Sequence, residues 1–269
     1  MKKITRRSFL AAAGLTAAAL ALTACGGSSS STASSTASSA AASSEAASSG
    51  AAAELTTVEA GKLTMATNAA FPPYEMTTDA GEFEGIDIET AQAIADKLGL
   101  ELQIDDMDFD AALLSVQQGK ADIVMAGVTV TDERKAVMDF SDSYATGIQS
   151  IIVPEGSDIA TPDDLAGKKI GTQRGTTGYI YCSDDFGDEN VVAYDDGLTA
   201  VQALNNGQVD AVVIDNAPAK EFVAANPGLV ILETSYAEED YAIGMAKGNT
   251  ALEDAINAAL EELKADGTL

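Results

Sequence analysis

The chain has 269 residues, with 15 Lys+Arg against 42 Asp+Glu, a formal net charge of −27, no His, no Trp and two Cys. This acidic excess argues against nucleic acid as a partner, because phosphate binding needs a basic stripe, and against docking of a basic face onto anionic lipid. The missing His removes Ser-His and Cys-His nucleophile pairs, His general bases and His-ligated zinc together. Two cysteines support neither a metal site nor a disulfide framework, so the composition favours binding over catalysis and calls for no cofactor and no metal.

Met1 to Arg7 carries Lys2, Lys3, Arg6 and Arg7, and Leu10 to Leu22 is an apolar run. A positive start, a short apolar stretch and small residues before a cut site make a secretory signal, and the run is short for a retained span. Leu22-Thr23-Ala24-Cys25 resembles the lipobox of bacterial lipoproteins, which implies a signal peptide over residues 1–25 and acylation of Cys25. Thr5-Arg6-Arg7-Ser8-Phe9-Leu10 also resembles a twin-arginine export signal, and the general secretory route stays equally open. Gly26 to Ala53 contains only Gly, Ser, Thr and Ala apart from Glu45. Such a stretch buries too little apolar surface to order itself, so residues 26–53 read as a flexible tether with a reach on the order of 30 Å. A lipid anchor followed by this tether would hold a soluble domain at the extracellular face of the cell membrane.

From about Leu55 short β-branched runs alternate with helical patterns, which predicts an α/β fold. Lys62 to Ala66 predicts a strand that runs into Thr67-Asn68-Ala69-Ala70-Phe71-Pro72-Pro73. Asp87 to Leu98 is apolar at 88, 91, 94, 95 and 98 and is followed by Gly99, the pattern of an amphipathic helix with a glycine stop. Thr161-Pro162-Asp163-Asp164 predicts an N-cap with Pro at the first helical position. Ala251 to Ala265 predicts a last helix with Leu252, Ile256, Leu260 and Leu263 on one stripe. The acidic runs at 105–110 and 184–189 lack the spacing of a calcium loop and read as solvated surface.

One internal similarity goes further than these separate elements. Residues 115–126 (SVQQGKADIVMA) match residues 203–214 (ALNNGQVDAVVI): a helix end, two amides, a Gly, an Asp and a buried strand. Two lobes of related design follow, each with a parallel-sheet core. Ligands of such sheets sit at the carboxyl ends of the strands, so Gly127 and Asp215 should face one cleft from opposite lobes.

Ala70-Phe71-Pro72-Pro73-Tyr74-Glu75, Gly85-Ile86-Asp87-Ile88-Glu89 and the run from Ala126 to Arg134 are similar to the polar amino-acid-binding proteins of bacterial ABC importers. Asp139 to Tyr144, Asp164 to Lys168, Gly175-Thr176-Thr177 and Val209 to Val212 add matches in family order. The resemblance implies a periplasmic-binding-protein-like (type II) fold, two α/β lobes with a cleft between them. Lobe one would be residues 54–147 plus 237–269 and lobe two residues 150–233. It further implies that Arg134 clamps a ligand α-carboxylate, for which a planar fork with two charge-assisted bonds is suited. Thr129 would bond both ligand termini, the Gly127 carbonyl would accept from the ammonium, and Asp215 would be its counter-ion. Phe71 and Phe109 would sandwich the side chain, and Thr176 and Thr177, with Gly175, would complete the carboxylate site. Asn68 stands where members taking cationic side chains tend to have Asp, which disfavours Lys or Arg as ligand. The chain stops at Leu269, short of the family's usual basic-aromatic end.

The function implied is that of a monomeric, lipid-anchored, extracellular receptor that passes a polar L-amino acid to an ABC permease and is not an enzyme. Two alternatives stay open: a catalytic relative on the same fold, such as a cyclohexadienyl dehydratase, and a sensory ligand-binding subunit. The absence of His weighs against the first.

Overall fold

The structure, a computed structural model, describes residues 55–269; the expected signal peptide, Cys25 and the tether lie outside the described residues. The chain opens with β1 (Lys62–Thr67) and a small meander of β2 (Ala70–Phe71), β3 (Glu75–Thr77) and β4 (Phe83–Glu84). Then come α1 (Ile86–Leu98), β5 (Glu101–Asp106), α2 (Phe109–Gln117), β6 (Ile123–Val124), α3 (Asp132–Val137) and β7 (Met138–Phe140). The middle of the chain is β8 (Ala145–Pro154), β9 (Ile170–Gln173), α4 (Thr177–Phe186), β10 (Val191–Tyr194) and α5 (Gly197–Asn205). It continues with β11 (Ala211–Asp215), α6 (Asn216–Ala225), β12 (Leu229–Ile231) and β13 (Ala237–Tyr241). The chain finishes with β14 (Gly244–Ala246) and α7 (Thr250–Ala265).

Beside the three-stranded meander, two larger sheets result, ordered β5-β1-β6-β14-β7 and β10-β9-β11-β8-β12, with β13 also paired to β8. In each, three strands are parallel: β5, β1 and β6 in the first, β10, β9 and β11 in the second. The expected parallel cores are therefore present but incomplete. Strands β7, β14, β8, β12 and β13 pair antiparallel, and the chain passes between the sheets from β7 to β8 and back from β13 to β14. The crossings fall at 141–144 and 242–243, and the two strands beside them, β8 and β13, pair from Ala145↔Tyr241 to Gln149↔Ala237.

Local signals explain the helices. Gly99 sits at φ 69° in the left-handed region and stops α1, as its place after the apolar pattern predicts. Thr161 forms a capping box with Asp164, but the segment closes as a 3₁₀ turn over Pro162–Leu165 and not as a longer helix. In α7 the predicted stripe of Leu252, Ile256, Leu260 and Leu263 is buried against Leu63, Ile94 and Ile243. Each such side chain withdrawn from water contributes about 1.5–3 kcal/mol.

The repeat has a mechanical meaning. Asp122 accepts from the N–H of Thr64 at 2.8 Å while its own N–H donates to the Thr64 carbonyl at 2.9 Å. Asp210 accepts from Lys169 N–H at 2.8 Å and donates its N–H to the Lys169 carbonyl at 2.8 Å. One aspartate in each half thus sets the start of the neighbouring parallel strand.

Candidate functional site

The carboxyl ends of the parallel strands face a narrow cavity between the two sheets. Asn68, Phe71, Phe109, Gly127, Thr129 and Arg134 line it from the first half, and Thr176, Thr177 and Asp215 from the second. The residues expected from the sequence to meet a ligand thus line one cavity, except Gly175, whose carbonyl accepts from Arg134 instead. Glu75, Ala126 and Gln173 complete the lining.

Arg134 is the third residue of α3, whose N-cap Thr131 accepts from the Arg134 N–H at 3.1 Å. That start turns the guanidinium back to the Thr129 carbonyl at 2.8 Å and across the cleft to the Gly175 carbonyl at 3.2 Å. It also lies over the Phe109 ring, 5.3 Å from the centroid. Arg134 is only 8% exposed, and none of the ion pairs among the described residues includes it. Burial pulls its pKa down, with Glu239 the strongest of the carboxylates that oppose the shift. A buried guanidinium held only by carbonyls and a ring is a site built to receive an anion.

The second half supplies a matching feature. Thr176 caps α4, accepting from the Tyr179 N–H at 3.3 Å, so the positive end of a ten-residue helix opens onto the cavity beside Arg134. Asp215 ends β11, where burial pushes its carboxyl up to about 7 against the opposing donors Tyr241 and Gln149. Gln149 donates to it at 2.7 Å, and the Tyr241 hydroxyl donates to its other oxygen. A guanidinium and a carboxyl therefore line one chamber, an arrangement able to meet both charges of a zwitterion.

Phe71 belongs to an aromatic chain: it stacks with Tyr74 at 6.0 Å, and Tyr74 meets Tyr241 edge-on at 5.2 Å. Gly127 must be glycine here, since its φ is +54° and an added Cβ would lie 2.8 Å from the Phe71 ring. Its N–H donates to Asp87 at 3.0 Å, and the Tyr144 hydroxyl donates to the same carboxyl at 2.7 Å. Burial raises Asp87 to about 6 despite these donors. Asn68 donates to the Met107 carbonyl at 2.9 Å and accepts from Gln173 across the cleft at 2.8 Å.

Four positions escaped the sequence reading. Glu75 lies in the cavity wall, fully buried; no N–H or hydroxyl of the described residues donates to its carboxyl, which meets only the carboxyl of Asp87. Burial and the charges of Asp87 and Asp215 drive its pKa well above the carboxylate range. Gln149, Glu239 and Tyr241, all on β8 or β13, form the layer behind Thr129, Thr177 and Asp215. Glu75 ends the quoted Ala70–Glu75 segment, a signal that was available; Glu239 sits in an acidic run that looks like surface. Among the described residues no cluster of His, Cys, Asp or Glu is placed to hold a metal, and no helix is long and apolar enough to cross a membrane.

Two lobes, a cleft at their strand ends and a zwitterion-matched chamber define a two-lobed binding protein of the type II periplasmic class. The family model of the bacterial extracellular solute-binding proteins, family 3, matches residues 63–269, and the chain belongs to that family. It is 34% identical over 215 residues to the L-cystine-binding protein TcyJ of Escherichia coli strain K12, covering 78% of this chain and 80% of that one. An ancestral arginine-binding protein solved with bound glutamine superposes with a TM-score of 0.74 at 43% identity, covering 77% of this chain and 94% of the other. The holo arginine-binding protein of T. maritima gives 0.73 at 42% identity, with 76% and 91% covered. These relatives are binding proteins rather than enzymes, so the family role is capture of an amino-acid solute.

Proposed function

We propose that the chain is the extracellular receptor of an ABC importer, held at the membrane through Cys25, and that its ligand is a long, cationic amino acid, L-arginine first. The observation that carries the binding site is Arg134, a buried guanidinium without a carboxylate partner. In this reading residues 54–147 plus 237–269 and residues 150–233 are the lobes that close on the ligand. Arg134 and the start of α4 take the α-carboxylate, and Asp215 with the Gly127 carbonyl takes the ammonium. The side chain runs between Phe71 and Phe109 towards Glu75.

Glu75 supports the cationic side chain. A buried carboxyl that faces only another carboxyl costs free energy, and a guanidinium beside it would supply both hydrogen bonds and charge. Asn68 by itself disfavoured such a ligand, but Asn68 is already committed to Met107 and Gln173, whereas Glu75 has only the Asp87 carboxyl beside it. Relatives named for arginine, one of them solved with glutamine, bracket the same choice. Calorimetry of the purified protein, stripped of bound amino acid, against the twenty amino acids should find arginine tightest. Glu75→Gln should weaken arginine by about tenfold or more and leave glutamine nearly unchanged. No binding by any of the twenty would refute the receptor reading; unchanged selectivity in the variant would refute the role of Glu75.

Acidity should affect binding and folding in opposite directions. A bound ammonium needs Asp215 ionised, so protons compete with ligand as the pH falls through about 7, and affinity drops by up to about tenfold per unit below it. In the protein without ligand, Asp215 and Asp87 hold protons more tightly than in the unfolded chain. Their contribution to stability is greatest under acidic conditions and is lost as pH rises through about 6 to 7. The ligand-free protein should therefore melt higher at pH 5 than at pH 8, while the arginine-induced rise in melting temperature shrinks. Thermal melts at the two pH values, with and without arginine, test both signs.

A further inference from the structure

We infer that Glu239 is a positioning residue that latches the cleft shut by gathering hydroxyls from both lobes onto one carboxylate. Its Oε2 accepts from Thr129 Oγ1 of the first lobe at 3.1 Å, from Thr177 Oγ1 of the second at 3.0 Å and from Gln149 Nε2 of β8 at 3.0 Å. Thr129 and Thr177 themselves approach to 3.5 Å. Glu239 is 7% exposed and stands on β13, one of the two strands that join the lobes, opposite Gly147 of β8.

Glu239 does not line the ligand cavity; it lines a separate recess beside β13, which shares only Thr129 with that cavity. It therefore acts through the threonines. When the lobes separate, one carboxylate on the connecting strand can no longer reach a hydroxyl of each, so these charge-assisted bonds exist together only in the closed arrangement. They raise the population of that arrangement, and a ligand that closes the cleft inherits the benefit as slower release.

The latch rests on the receptor reading only for the identity of the ligand, so its test includes a measurement without ligand. Dyes on Gln92→Cys in α1 and Lys220→Cys in α6, both exposed, report lobe separation by single-molecule energy transfer in a Cys25→Ser background; Cys182 is fully buried and stays unlabelled. Glu239→Gln should lower the closed fraction both with and without arginine. It should also raise the dissociation rate of arginine about tenfold while changing the association rate by less than about twofold. Glu239→Asp, a second variant that keeps the charge and shortens the reach, should fall between the two. An unchanged closed fraction or an unchanged dissociation rate in whichever variant folds, judged by circular dichroism, overturns the latch. A wild-type protein that opens and closes but binds no amino acid sinks the receptor reading and leaves the latch standing.

Discussion

Arg134→Ala is expected to raise the Kd for amino acid by roughly a thousandfold, about 4 kcal/mol, when measured by calorimetry. The magnitude follows from what would be stranded. A ligand carboxylate enclosed between two lobes cannot keep its water, and the guanidinium is the one cation in the cavity lining. Removing it leaves an unpaired buried anion facing Asp215 and the nearby Glu239. Arg134→Lys should recover little, because an ammonium cannot hold the Thr129 and Gly175 carbonyls and also present a flat pair of donors. A Kd raised by less than about tenfold in the alanine variant would show that the carboxylate sits elsewhere.

Gly175→Ala should damage folding and binding by two separable routes. Gly175 has φ +73°, a conformation that costs an L-residue about 1–2 kcal/mol in any state of the cleft, so the variant should melt lower. The second route appears only on closure: an alanine Cβ would lie 1.6 Å from Asp110 Oδ1 of the opposite lobe. Asp110 is exposed and can swing away, which limits the loss of affinity to about tenfold. A second substitution distinguishes the routes. Asp110→Ala placed in the Gly175→Ala background should restore binding without restoring the melting temperature. If both recover together, or neither does, the closure clash is not the cause.

Much of this cleft was legible in the chain because the residues that line it sit at strand ends, and strand ends are marked. The repeat located Gly127 and Asp215 from pattern alone, since a glycine stop, an aspartate and a buried strand recur at the same spacing. Arg134 followed from resemblance and from the chemistry of a planar cation. The layer behind them was not legible. Glu239 alternates with the exposed Glu238 and Asp240 on β13, burying every second residue, but three consecutive acids conceal a period-two pattern that hydrophobic residues would have revealed. Gln149 is hidden for the same reason, as a polar residue on a strand whose inward face is otherwise apolar. Glu75 was in plain view and was passed over, because a carboxylate next to an aromatic-proline turn reads as surface until its burial is known. The antiparallel strands between the lobes could not be inferred either, since strand direction is settled by where the chain must go next.

Asp122 and Asp210 have a consequence for how such a molecule can change. Each half carries its own alignment peg, so the register of one sheet owes nothing to the other. Substitutions in the Asn68, Phe71 and Glu75 wall leave these two pegs in place, although Asn68 bonds Gln173 and Phe71 packs among second-half residues, so the halves meet at that wall. In the proposed reading, grip on the common backbone of amino acids draws on both halves, through Arg134 of the first and Asp215 of the second, while choice among side chains rests on the wall of Asn68, Phe71 and Glu75. A lineage built this way can acquire a new cargo by editing one wall while it keeps the handle that all cargoes share.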